Sequence, residues 1–179
     1  MKTLTLLRHA KSGWDDPAAR DFDRALNARG LKAAEIVGAH IAALGLGFDH
    51  VVSSPAVRCV DTLDAVWSGY GRTLHPVWDR RIYLASGVTL LDVVQDRPDS
   101  AEQVLLCGHN PGLEDLVLML IPDSDDEALR DDIEEKFPTA SLAVIELDID
   151  HWAQATGGKG HLARFVRPRD LDAALGPES

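Results

Sequence analysis

The chain has 179 residues, 45% of them hydrophobic, with 29 Asp and Glu against 18 Lys and Arg. This length and apolar content suit one globular domain spanning 1–179 and argue against disorder. The formal net charge of -11 excludes a general affinity for nucleic acid or an anionic membrane, so any bound anion must find a local cationic pocket.

Cys59 and Cys107 are the two cysteines, far apart in sequence and without metal-type spacing. Reduced, buried thiols are expected, not a disulfide framework or a zinc site. The apolar stretch at the N-terminus stops at Arg8, too short for a secretory signal, and no segment approaches the roughly 20 apolar residues of a membrane span. A soluble, cytoplasmic protein is the expectation.

In chain order, Thr3 to Leu7 reads as a buried strand that ends in Arg8 and His9. Asn27 to Leu44 reads as a helix with Leu31, Ala34, Glu35, Ile41 and Leu44 as its stripe, stopped by Gly45 and Gly47. A second strand spans His50 to Ser53. Ser54-Pro55 then opens a helix through about Trp67, with serine as cap and proline in the first turn, closed by Gly69 and Gly71. Leu74 to Val77 is a short third strand and Val88 to Asp96 a helix.

Gln103 to Cys107 is a continuous apolar run, the signature of a central strand covered on both faces. It ends in "GHNPG", after which Leu113 to Leu120 is helical. The segment from Asp123 to Lys136 carries eight acidic and two basic residues and reads as a solvated loop and helix. Leu142 to Leu147 and His161 to Val166 are strands joined by the turn-rich "DIDHWAQATGGKG", and the residues from Leu171 are expected to fray. The alternation predicts a three-layer α/β/α sandwich with a largely parallel sheet.

In such sheets ligands bind beyond the carboxyl ends of the parallel strands. Three of those ends carry related chemistry: Arg8 and His9 after the first, Arg58 in "SSPAVRC" after the second, His109 in "CGHNPG" after the fourth. If these strands are neighbours, two arginines and two histidines converge. Such a group is compatible only with an anion among them, and the arginine fork matches phosphate geometry. No acidic residue stands in metal-ligand spacing beside them, which favours a metal-free mechanism without cofactor.

These residues resemble the histidine phosphatase superfamily, with its arginine-histidine motif after the first strand, and within it the short SixA-type phosphohistidine phosphatases. The matching segments are "LLRHAKSGWDDP", "DFDRALNARG", "VVSSPAVRCVDTL", "VLLCGHNPGLEDL" and "FPTASLAVIELD". The resemblance implies a phosphoglycerate mutase-like fold, His9 as phosphorylated nucleophile, and Arg8, Arg58 and His109 as the clamp on the phosphoryl group. Ala10 stands where the wider superfamily has glycine, a mark of the SixA-like branch. Large insertions over the pocket are missing, which implies an open site suited to a phosphohistidine on another protein; a phosphomonoesterase or mutase acting on a small metabolite is the alternative, and a phosphate-binding module without turnover a third.

Attack by His9 requires one ring nitrogen unprotonated and the other pinned, most simply by a backbone carbonyl. His109 is expected to be cationic when phosphate is bound, with an optimum near or somewhat below neutral pH. A proton donor for an ester leaving group is not singled out among Asp79, Asp15, Asp16, Asp21 and Asp23. Ser12, Trp14, Asn110 and Ser141 are further neighbours of the site with ordinary structural roles open to each.

Overall fold

A computed structural model describes residues 1–176. Its centre is a six-stranded sheet built from β1 (Lys2–Arg8), β2 (His50–Ser53), β3 (Val77–Trp78), β4 (Gln103–Gly108), β5 (Leu142–Leu147) and β6 (Gly160–Val166), in the order β3-β2-β4-β1-β5-β6. β4 lies between β2 and β1 and runs parallel to both; β2 and β3 are also parallel. β5 is antiparallel to β1, and β6 to β5. The α/β/α sandwich with a largely parallel sheet expected from the sequence is the architecture observed.

Alternation along the strands creates a core on each face. Leu4 and Leu6 of β1, Val104 and Leu106 of β4, and Ala143 and Ile145 of β5 face one way. There they meet α3 (Gly87–Gln95) and α4 (Gly112–Leu120) through Leu90, Val93, Leu113 and Val117. Leu7, Leu105, Cys107, Leu142 and Val144 face the other way, onto α1 (Ala28–Ala43) and α2 (Val57–Tyr70) through Val37, Ile41, Leu63 and Val66. Trp152, inside the turn-rich connection before β6, is fully buried and its indole donates to the Ala101 carbonyl.

Several sequence expectations shift. α2 begins at Val57, so Pro55 precedes the helix, and the Ser54 hydroxyl accepts from the Ala56 amide outside it. Gly69 lies within α2, and only Gly71, at φ +85°, closes it. The buried face of α1 is Gly30, Ala33, Ala34, Val37, Gly38 and Ile41, while Leu31 is exposed. The reason is close helix contact: a Cβ on Gly38 would stand 2.1 Å from the Val66 carbonyl oxygen, and one on Gly69 2.0 Å from that of Glu35. Glycine here lets two backbones touch, and the stripe is made of small residues that an apolar-periodicity reading undervalues.

β3 is two residues long and begins at Val77, later than the sequence suggested, because its pairing with β2 spans only Val52 and Ser53. The acidic segment holds α5 (Glu127–Glu135), capped by Asp126 and anchored by buried Ile133. A short α6 (Pro168–Leu171) follows β6. The expected fraying from Leu171 does not occur at Leu171 and Leu175, which pack on the second core; residues 177–179 lie outside the described part. Among the described residues no helix is long and apolar enough to cross a membrane.

Candidate active site

The strand order makes the first, second and fourth strand ends neighbours, as the site requires. Arg8 closes β1 opposite Gly108 of β4, and Ser53 of β2 lies opposite Cys107. His9 follows directly. Its amide donates to the Gly108 carbonyl at 3.1 Å, and its own carbonyl accepts from Ala140 at 3.0 Å. Ala140 holds φ at +61°, a conformation unusual for a residue with a side chain, and places its amide between Arg8 and His9.

The imidazole of His9 is 8% exposed. Its Nδ1 stands 2.7 Å from the Ala10 carbonyl oxygen. A carbonyl can only accept, so Nδ1 carries the proton and Nε2 presents its lone pair. Burial, with His109, Arg8 and Arg58 close by, pushes the His9 pKa down to about 3 despite the opposing effect of the Ala10 bond. The ring is therefore neutral across the physiological range.

Ala10 is held as firmly. Its side chain is fully buried in the second core, and its amide donates to Thr62 Oγ1 at 2.8 Å. Thr62 in turn donates to the Arg58 carbonyl at 2.6 Å, so one hydroxyl ties the turn after β1 to the first turn of α2. The alanine at this position is a packed core residue.

The His109 ring lies tilted beside that of His9, with centroids 5.2 Å apart, and Tyr83 meets it edge-on at 5.5 Å. His109 Nε2 lies 2.8 Å from Ser54 Oγ and 3.6 Å from Cys59 Sγ. Arg58 is 2% exposed; it donates to the Asp21 carbonyl at 2.7 Å and to the Asp21 carboxylate at 3.1 Å. Arg8 donates to the Phe137 carbonyl at 2.9 Å. All four residues singled out from sequence thus surround one volume. Three of their buried nitrogens, Arg8 Nε, Arg58 Nε and His109 Nδ1, have no protein partner. Buried polar atoms without a partner are costly, and their gathering on the arginines and histidine around His9 suits a group rich in oxygens.

The five aspartates separate clearly. Asp21 reaches the site, but as the partner of Arg58. The Tyr83 hydroxyl donates to it, and with Arg58 and Arg24 holds its pKa down to about 2 against the effect of burial. Asp79 turns onto Arg81, at 2.8 Å, and Arg97, and bonds from Arg81 lower its pKa. Asp23 pairs with Arg20, Asp16 caps the Ala18 amide, and Asp15 is exposed. Ser12 accepts from Arg24, whose guanidinium lies 3.8 Å over the Trp14 ring. Asn110 shapes the turn, donating to Phe137 and capping the Glu114 amide, and Ser141 is fully buried in packing.

Sequence reading missed Glu114, Tyr83, Ser54 and Thr62. Glu114 sits in the first turn of α4, and burial, with Asp115 beside it, raises its pKa while Arg8 opposes. Its position five residues beyond His109, at a helix start facing a strand end, was the available signal. Tyr83 and Thr62 carried none, since each reaches the site only through the packing of distant segments.

A profile of the histidine phosphatase superfamily (branch 1) matches residues 4–81. An uncharacterized protein of Mycobacterium tuberculosis is 33% identical over 164 residues, 91% of this chain and all of that one. The crystal structure of a candidate SixA phosphohistidine phosphatase from Agrobacterium tumefaciens is 30% identical, with a TM-score of 0.78 over 93% of this chain and 98% of that one. One from Nakamurella multipartitia is 28% identical, with a TM-score of 0.76 over 93% and 96%. On these matches the chain is a phosphatase and belongs to the histidine phosphatase superfamily.

Proposed function

We propose that the protein removes a phosphoryl group through a phosphohistidine intermediate on His9, without a metal ion, and that its substrate is a phosphohistidine carried by another protein. The observation that carries this reading is the Nδ1 contact of His9 with the Ala10 carbonyl, which leaves Nε2 unprotonated and fixed among cationic donors. Nε2 attacks phosphorus in line, forming a P–N bond as the bond to the substrate imidazole breaks and that imidazole departs with a proton from solvent. Water then attacks phosphorus, the P–Nε2 bond breaks, and phosphate leaves. Arg8, Arg58 and His109 meet the equatorial oxygens, supplying the positive charge that a metal supplies in other phosphatases. Binding alone has no use for a neutral, oriented imidazole at the centre of such a site.

The preference for a P–N bond rests on the acids. Asp21 and Asp79 are ion-paired and held ionised, and neither has a proton to give to an alkoxide. A leaving imidazole needs less help. The relatives from Agrobacterium and Nakamurella are named as candidate phosphohistidine phosphatases. Two reduced, buried thiols fit a cytoplasmic setting.

One observation favours an ester of a small metabolite: Glu114, half-buried near Arg8, is the carboxyl whose pKa is raised. The two readings separate when a phosphohistidine protein and small phosphate esters are compared at equal concentration, with native chain and Glu114→Gln. We expect faster turnover of phosphohistidine, with Glu114→Gln affecting it little. Faster ester hydrolysis that falls about 100-fold in Glu114→Gln would establish the ester reading instead.

A further inference from the structure

Tyr83 follows the short 3-10 turn Arg80–Ile82 beyond β3. That turn is anchored: Ile82 is fully buried in the first core, and the Tyr83 amide donates to the Arg80 carbonyl at 3.1 Å. The Tyr83 ring meets Phe22 at 5.1 Å and 75°, and His109 at 5.5 Å and 83°. The Arg58 guanidinium lies 5.8 Å from its centroid. The Tyr83 hydroxyl donates to Asp21 Oδ2, the same oxygen that accepts from Arg58 Nη2 at 3.1 Å. Burial and the Asp21 carboxylate raise the Tyr83 pKa above its ordinary 10, so this hydroxyl keeps the proton it donates.

Arg58 is buried, but the carboxylate that holds it is 38% exposed and belongs to the connection between β1 and α1. An ion pair to a partly exposed carboxylate on a loop is weak by itself, because that side chain is free to turn to solvent. A second, charge-assisted bond from a hydroxyl on an anchored turn removes the freedom. Asp21 in its turn takes both terminal nitrogens of Arg58, Nη2 through the carboxylate and Nη1 through its carbonyl at 2.7 Å. Arg58 Nε has no partner among the described residues. We propose that Tyr83 is a positioning residue for the reaction: through Asp21 it fixes which edge of the Arg58 guanidinium is turned to the phosphoryl group. This role rests on the reading of Arg58 as part of the phosphoryl clamp.

Three substitutions in the full chain test it. Tyr83→Phe removes the hydroxyl and retains a ring to face Phe22 and His109, Asp21→Ala removes the carboxylate, and Arg58→Lys removes the fork. Hydrolysis of a small aryl phosphate is measured for each, and for Tyr83→Phe combined with either of the others, well below the unfolding temperature of all of them. We expect kcat/KM to fall at least about fivefold in Tyr83→Phe, the result of a displaced guanidinium. Added to Asp21→Ala or to Arg58→Lys, the same change should cost less than about twofold, because its effect passes through both residues. A smaller fall in Tyr83→Phe, or a larger added loss in either combination, would overturn the proposal. The Nε–H signal of Arg58 in proton–nitrogen NMR spectra, identified by its loss in Arg58→Lys, gives a readout that a purely structural role would not move. It should shift or broaden in Tyr83→Phe, and an unchanged signal would mean that the guanidinium is held without the hydroxyl. Full activity in Arg58→Lys would sink the clamp reading and this role with it, whereas an impaired Arg58→Lys beside an unimpaired Tyr83→Phe would sink the role of Tyr83 alone.

Discussion

At the scale of single residues, two imidazoles stand side by side, His9 and His109, with ring centroids 5.2 Å apart. His9 is kept neutral by burial and by nearby cations, and its Nδ1 bond selects the tautomer. This has a cost that can be measured. The folded pKa of about 3 lies below the ordinary value of 6.5. Between those values the unfolded chain binds a proton that the folded chain refuses, so the contribution of His9 to stability falls as pH drops from 6.5 towards 3. In urea unfolding at pH 7 and pH 5, the native chain should lose more stability over that interval than His9→Asn. Equal losses would show that the ring is not held neutral. Thr62 illustrates a different residue-scale effect. Thr62→Val strips the buried Ala10 amide of its acceptor and should cost about 1–3 kcal/mol by denaturant unfolding, whereas Thr62→Ser should recover most of it. Because the Ala10 carbonyl orients His9, kcat should fall in the valine variant and return in the serine variant.

At the scale of elements, positions were read more securely than contacts. β2 and β5 begin and end where the sequence places them, because β-branched and leucine-rich runs between polar turns leave little choice. α1 was located but its face was misjudged, since Gly30, Ala33 and Gly38 carry little hydrophobic signal although all three are buried and Gly38 brings the α1 backbone against α2. Gly38→Ala should therefore destabilise the fold by about 2–3 kcal/mol, the cost of forcing a methyl into the Val66 carbonyl, while leaving helix content intact by circular dichroism. A change under about 0.5 kcal/mol would mean that the α1 and α2 backbones are not in contact there. The site residues Arg8, His9, Arg58 and His109 were legible because each ends or follows a strand in one chain direction. Their partners Tyr83 and Asp21 were not singled out, because the meeting of Asp21, Arg58 and Tyr83 depends on how two connections fold back over the sheet.

At the scale of the whole molecule, the antiparallel β5 and β6 complete the sheet beyond β1, and the loop before β5 supplies the Phe137 carbonyl to Arg8 and the Ala140 amide to His9. The sheet holds three strand ends in fixed register, and a rigid register is what allows groups from residues 8, 9, 58 and 109 to surround one volume. In a chain of net charge -11, the cations gathered around His9 are the local basic group that the sequence called for. The central claim is that His9 carries the phosphoryl group during turnover. Brief incubation with a labelled phosphodonor, followed by rapid quenching and peptide mapping, tests it directly: the account predicts an acid-labile, base-stable label on His9 that is missing from His9→Ala, and label that persists in that variant or maps to another residue would contradict it.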